Sequence, residues 1–128
     1  MIKKNDKIFV AGHNGLIGSA IIKKLKFKGY KNLITIDKKK LNLLNQNDVF
    51  KFLEKIKPKA TIIAAAKVGG IYANNMYKGE YIYENLAIQN NLIHGSYING
   101  VKDLIFLGSS CIYPRLCPQP IKEKYLLS

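Results

Sequence analysis

Acidic residues are scarce in this sequence and arginine is almost missing. Only 8 aspartates and glutamates face 21 lysines and arginines, Arg115 being the single arginine, and the formal charge is +13. An excess of that size raises the question of a nucleic-acid partner. The lysines, however, are spread along the chain among asparagines and isoleucines. That is a compositional bias rather than a groove-reading patch, so no nucleic-acid partner is expected. A basic surface can still steer an anionic nucleotide, although exposed charges are well screened at physiological salt. Long apolar runs are missing too. No segment approaches the roughly 18–20 residues of a membrane helix, and Met1 leads into Ile2, Lys3, Lys4, Asn5 and Asp6, not into the apolar core of a signal peptide. A cytoplasmic protein with no membrane partner is the expectation. Cysteine is limited to Cys111 and Cys117 in a proline-containing loop, which offers neither a disulfide framework nor a metal site. No metal is expected.

What is present fits one α/β domain. A chain of 128 residues can bury a hydrophobic core but leaves no room for a second folded domain. Its 48% of hydrophobic and 23% of charged residues exclude global disorder. Residues 7–11 form a short apolar run that ends at a glycine-rich turn, and from Leu16 to Gly29 the residues Ile17, Ile21 and Leu25 recur at helical spacing. A second strand is predicted over 32–37. Val49, Phe50, Leu53 and Ile56 then mark one face of a helix that Asn47 can cap and Pro58 closes. The run 60–64 is continuously apolar, as in a central strand covered on both faces. A loop through Gly69 and Gly70 precedes the longest helix, 79–99, in which Ile82, Leu86, Gln89, Ile93 and Tyr97 recur at 3.6-residue spacing and Gly100 takes the C-cap region. A fourth strand, 103–107, feeds an irregular tail. Four strands alternating with three helices predict a Rossmann-type, doubly wound parallel sheet with helices on both faces. Wound like a dinucleotide-binding fold, its strand order is 3-2-1-4. The sheet is incomplete, because further strands of that fold pair beside the fourth, and an uncovered apolar edge is expected there.

Three places carry chemistry. The turn Gly12-His-Asn-Gly-Leu-Ile-Gly18 follows a strand and opens a helix. Its glycines let the backbone turn tightly and approach a pyrophosphate, whose charge the helix N-terminus stabilises. Gly12, His13, Asn14, Gly15, Leu16, Ile17 and Gly18 are the candidate cofactor-binding residues of this segment. Further on, Asp37 ends the second strand, where an acidic residue holds the ribose 2′-hydroxyl of NAD. Lys38, Lys39 and Lys40 follow at once, and cations there suit the 2′-phosphate of NADP; the third reading is a solvated strand end with a charge run. Past the fourth strand, the hydroxyls of Ser109 and Ser110 lie at the carboxyl edge of the sheet and can bind a carbonyl. Cys111 next to them is either a proton-exchanging thiol or an inert buried one.

The segments Ile8-Phe-Val-Ala-Gly-His-Asn-Gly-Leu-Ile-Gly-Ser-Ala20, Ala64-Ala-Ala-Lys-Val-Gly-Gly-Ile-Tyr-Ala-Asn-Asn75 and Leu104-Ile-Phe-Leu-Gly-Ser-Ser-Cys-Ile-Tyr-Pro114 resemble the signature segments of the GDP-L-fucose synthases. These are extended short-chain dehydrogenase/reductases of the NAD-dependent epimerase/dehydratase type. The last two strings are much more specific than the glycine turn. The resemblance implies 3,5-epimerisation of GDP-4-keto-6-deoxy-mannose followed by NADPH-dependent reduction at C4 to GDP-L-fucose. It implies that residues 12–18 together with Leu107, Gly108, Ser109 and Ser110 line NADP, that Ser109 also bonds the C4 carbonyl oxygen, and that Cys111 is the epimerisation acid/base. Cys117 matches no catalytic position. His13 has a place near the phosphates or a local hydrogen-bonding role, and His94 reads as a packing or capping residue. Lys67, Asn74 and Asn75 belong to the family string without an assigned role. The long helix implies a homodimer face, and Ile82, Leu86 and Ile93 suit a core face equally well.

Two features depart from the family. Asp37 stands where members that favour NADP tend to carry neutral or basic residues. The family's Tyr-x-x-x-Lys pair, in which tyrosine protonates the reduced oxygen and lysine lowers its pKa, has no counterpart in the 128 residues. Residues 1–128 are therefore expected to be the amino-terminal part of an NAD(P)-binding Rossmann domain without its substrate domain, inactive alone, with a GDP-sugar as substrate and a second copy or a complementing C-terminal half as partner. The alternatives are a non-catalytic nucleotide-binding or interaction module, or the first half of a split sugar-nucleotide epimerase/dehydratase.

Overall fold

Strands buried at every position need neighbours on both sides and layers on both faces. Two segments meet that condition, Ile8–Ala11 (β1) and Ala60–Ile63 (β3), and they pair with each other in parallel, Ile8 opposite Ala60 through Ala11 opposite Ile63. The structure, a computed structural model, describes residues 1–126. Its sheet is parallel throughout, with Leu33–Ile34 (β2) beside β1 and Asp103–Phe106 (β4) beside β3, in the order β2-β1-β3-β4. The parallel α/β architecture is the expected one. The expected order 3-2-1-4 is corrected, since β3 lies inside the sheet and not at its edge. The continuous apolar run at 60–63 already requires this, because an edge strand has no use for four buried positions. The second strand is also shorter than 32–37, only two residues pairing with β1.

Helices cover the two faces unequally. Leu16–Phe27 (α1) lays Ile21, Ile22 and Leu25 over Ile8, Val10, Ala60 and Ile62. On the other face Gln46–Ile56 (α2) and Lys78–Ile98 (α4) enclose Phe9, Ala11, Val49, Leu53, Ile63 and Leu92. Asn45, not Asn47, caps α2, its side-chain oxygen accepting the Asp48 amide at 3.2 Å. At the end of α4, Gly100 (φ 71°) and Val101 donate their amides to the carbonyls of Tyr97 and Ser96, the paired bonds of a glycine-terminated helix. A short helix, Ile71–Met76 (α3), occupies part of the region read as a loop.

In the longest helix the core alternative for Ile82, Leu86 and Ile93 does not hold, because that face is open. Ile82 and Tyr97 are 64% and 76% exposed, and Leu86 and Ile93 are exposed as well. The residues that α4 turns inward are Asn91, Leu92, Gly95 and Ser96. A Cβ on Gly95 would stand 2.8 Å from Leu53 Cδ1 and 3.0 Å from Phe50 Cδ1, so small residues let α4 sit close against α2. The buried polar groups are satisfied: Asn91 donates to the Leu43 carbonyl at 2.9 Å and the Ser96 hydroxyl reaches the Thr61 hydroxyl at 3.2 Å.

Leu53, wholly buried between α2, the sheet and α4, is expected to be the costliest of these side chains to truncate. Leu53→Ala should lower the unfolding free energy by about 2–5 kcal/mol, read from urea denaturation of the two proteins side by side.

Candidate functional site

Three loops leave the carboxyl edge of the sheet in adjacent positions. Ala64 donates its amide to the Ala11 carbonyl at 2.9 Å and Leu107 donates to the Ile63 carbonyl at 3.1 Å, so β1, β3 and β4 end at a common level. From there issue the glycine turn at 12–18, the segment 64–70 and the segment 107–114. The chain winds one way from β1 to β2 and the other way through β3 to β4. The crevice between β1 and β3 is thus a topological switch point, the place where open parallel sheets bind ligands.

Contact between the first two loops is unusually close. Gly12 has φ 84°, and a Cβ there would lie 2.6 Å from the backbone carbon and oxygen of Ala64 and from the nitrogen of Ala65. A Cβ on Gly18 would run into the Gly12 carbonyl oxygen. Both positions need glycine, one for its backbone conformation and both for space. Gly15 then precedes α1 with no side-chain cap, and no acidic residue stands in the first turn. The helix therefore presents its first amides and the positive end of its dipole to solvent beside a bare backbone turn, a cradle that fits the pyrophosphate of a dinucleotide. Asp37 closes the outer side. Its carboxylate Oδ1 accepts the Asn14 amide at 3.0 Å and lies 3.5 Å from His13 Nε2, so both side chains of the turn face this residue.

The middle loop is clamped to α4. Asn85 accepts the Lys67 amide at 2.7 Å and donates to the Lys67 and Tyr81 carbonyls at 2.9 Å each. The Lys67 ammonium meets Glu84 Oε1 at 2.6 Å and sits 5.2 Å from the centre of the Tyr81 ring. The hydrogen bond that Lys67 donates to Glu84, with added attraction from the carboxylate charge, raises the Lys67 pKa above its ordinary value. Asn74 holds the start of α3 by donating to the carbonyls of Gly69 and Gly70. Asn85, Glu84 and Tyr81 were not singled out in the sequence. An asparagine in a helix gives no sign that it will bond a backbone eighteen residues away.

At the third loop Ser109 opens a 3₁₀ turn, Ser110–Ile112, and its hydroxyl oxygen accepts the Cys111 amide at 3.1 Å. That leaves the hydroxyl proton free to be donated outward. Cys111 is an exposed free thiol, and with Ser110, Arg115 and Cys117 it lines an open hollow of about 490 Å³. Ser109 and the glycine turn stand on strands separated by β3, two strand spacings or ~10 Å apart. His94 is remote from this edge, packed at 5.6 Å from the Phe50 ring and 6.2 Å from Tyr97. Among the described residues no cluster of histidine, cysteine and carboxylate groups could hold a metal ion, and no helix is long and apolar enough to cross a membrane.

Residues 8–128 match the model of the NAD dependent epimerase/dehydratase family. The chain is 55% identical over its whole length to putative GDP-L-fucose synthase 2 of Arabidopsis thaliana, of which it covers 39%. It is 46% identical over 94% of its length to the GDP-L-fucose synthase of Escherichia coli K12, covering 38% of that protein. Among solved structures, MlghC, a GDP-mannoheptose C4 reductase from Campylobacter jejuni with NADP bound, superposes with a TM-score of 0.92 at 41% identity. The match takes in 99% of this chain and 40% of that one. The chain thus spans well under half the length of these relatives.

Two outcomes test the site's construction. Gly12→Ala should distort the turn at a cost of about 1–3 kcal/mol and abolish nucleotide affinity, seen by calorimetry alongside a urea titration. For Lys67, whose folded-state pKa is raised above 10.5, the ion pair stabilises fully below the unfolded-state value and is lost as pH rises through the folded one. The urea midpoint of the wild type should accordingly fall more steeply above pH 10.5 than that of Lys67→Met.

Proposed function

This chain belongs to the NAD dependent epimerase/dehydratase family, and from that premise we propose that it is the cofactor-binding part of a GDP-4-keto-sugar reductase of the GDP-L-fucose synthase kind. The substrate is GDP-4-keto-6-deoxy-mannose, the product GDP-L-fucose and the cofactor NADPH. The reading rests above all on the Ser109 turn, a hydroxyl anchored through its oxygen to the Cys111 amide at the sheet edge where the glycine cradle opens. Such a hydroxyl is an oriented donor for a carbonyl oxygen and needs no rearrangement to act.

Each residue then has a task. Gly12, Gly15 and Gly18 bring backbone to the pyrophosphate, with the amides of Leu16 and Ile17 at the start of α1, while His13 and Asn14 hold the adjoining carboxylate of Asp37. Leu107, Gly108, Ser109 and Ser110 line the cofactor on the far side of the β3 loop. NADPH, when bound, supplies the hydride that reduces the C4 carbonyl. Ser109 donates its hydroxyl hydrogen bond to the oxygen on which negative charge grows. In epimerisation the Cys111 thiol acts as the acid: it gives a proton to the sugar carbon after a base on the opposite face has taken one, and the thiolate so formed regains a proton before the next turnover. On this reading residues 1–128 are the amino-terminal part of the NAD(P)-binding domain of a cytoplasmic enzyme. The exposed stripe Ile82, Leu86, Ile93 and Tyr97 on α4 is then the face that meets a second copy.

A second reading differs only in the sugar. The reductase from Campylobacter jejuni named above acts on a GDP-heptose, and a heptose carries its extra carbon away from C4, so the Ser109 turn serves it equally.

NADPH should bind the 128-residue chain in calorimetry with one site. In an assay with NADPH, turnover of GDP-4-keto-6-deoxy-mannose by this chain alone should be negligible, since no tyrosine in it is followed four places on by lysine. Rapid GDP-L-fucose formation would sink that assignment of roles, and a preference for a GDP-4-keto-heptose in binding competition would select the second reading.

A further inference from the structure

The loop after β4 carries both cysteines of the sequence, and both are free thiols. Cys111 is exposed and Cys117 partly buried, and the two line one open hollow of about 490 Å³ with Ser110, Tyr113 and Arg115. The path between them doubles back, because the Cys117 amide donates to the Pro114 carbonyl at 3.1 Å and closes a turn over 114–117. The segment is tied to itself. Cys111, Ile112 and Tyr113 donate their amides to the Ser109 hydroxyl, the Ser109 carbonyl and the Ser110 carbonyl, and among the described residues every hydrogen bond of 109–117 joins positions two or three apart. No residue of 109–117 is buried. Such a stretch rearranges at little cost to the core. A disulfide needs Cα atoms about 4.4–6.8 Å apart, a spacing that a self-contained loop can take up without moving the sheet.

We propose that Cys111 and Cys117 are a reversible redox pair, in which a peroxide oxidises Cys111 and Cys117 resolves the product to a disulfide. In the first step the Cys111 thiolate attacks one oxygen of the peroxide. The O–O bond breaks, a sulfenic acid forms, and the second oxygen leaves as hydroxide and takes a proton to become water. In the second step the Cys117 thiolate attacks the same sulfur; the S–O bond breaks, the hydroxyl leaves with a proton as water, and the S–S bond forms. The two thiols lose two electrons, and the peroxide that gains them ends as two waters. Exposure selects Cys111 for the first step and leaves the more sheltered Cys117 for the second. A dithiol reductant reverses the bond by exchange. Transient bonds of this kind persist even in reducing compartments, where disulfide frameworks do not. The consequence rests on the epimerisation role given to Cys111 above: while the bond stands, the thiol has no proton to give, and that step is switched off.

Treatment of the 128-residue chain with hydrogen peroxide tests it. Both thiols should vanish from a thiol titration, the intact mass should fall by two hydrogen atoms, and dithiothreitol should restore both. Trypsin, cutting after Arg115, should release the peptides of Cys111 and Cys117 joined to each other from the oxidised chain and separate after reduction. Cys117→Ser should stop at the sulfenic acid, caught on Cys111 as a dimedone adduct, and Cys111→Ser should keep Cys117 as a thiol at the same dose. Survival of both thiols at a dose that oxidises glutathione, build-up of sulfinic acid on Cys111 with Cys117 still free, or disulfide-linked dimers as the main product would overturn the proposal. Each of those results leaves the sugar-nucleotide reading standing. Failure of that reading would in turn leave the bond in place and remove only its effect on epimerisation.

Discussion

The backbone of Gly12 runs so close to that of Ala64 and Ala65 that no side chain fits between them, and the arrangement of the whole carboxyl edge follows from this approach. It fuses the turn after β1 to the loop after β3. At Gly12 the switch-point crevice therefore presents peptide groups with no side chain between the two loops. Gly18 continues the constraint into α1, whose first turn lies against the Gly12 carbonyl. Two residues without side chains thereby fix the direction in which an uncapped helix points.

The α4 helix supports that edge from the other side. Its inward surface is made of Asn91, Leu92, Gly95 and Ser96, and its first half grips the β3 loop through Asn85 and Glu84. Few apolar contacts tie residues 64–70 down, so polar bonds take over what a core does elsewhere. A buried amide or hydroxyl is held only where its partners are in place, which gives these contacts directional specificity that an aliphatic surface lacks.

Strand and helix existence was legible in the sequence to a large extent, and the residues that mislead do so for identifiable reasons. Apolar runs at 8–11 and 60–63 became strands, and Val49 and Leu53 became core. The order of the strands does not follow from the winding pattern of a dinucleotide-binding fold, although the unbroken burial of β3 contradicts an edge position. In α4 the apolar periodicity of Ile82, Leu86 and Ile93 marks the open face. Contact with α2 selects small and hydrogen-bonding residues, which hydrophobicity does not register. At the site, the glycine turn and the Ser109 segment were readable because backbone conformation and position along a strand restrict residue type. The clamp at Lys67 was not readable, because side-chain bonds between segments distant in sequence leave no local spacing.

Among the described residues β4 is the outer strand, pairing with β3 alone, and its Ile105 and Phe106 are 55% and 45% exposed. A strand of that kind is a template for another strand. Two copies of the 128 residues carry a like formal charge of +13 each, and repulsion between such charges has a reach of about 30 Å at 0.01 M salt and about 8 Å at 0.15 M. Ionic strength should therefore set how closely two copies of these residues approach. Dilute buffer holds molecules beyond the range at which edges find each other, and concentrated salt lets them meet.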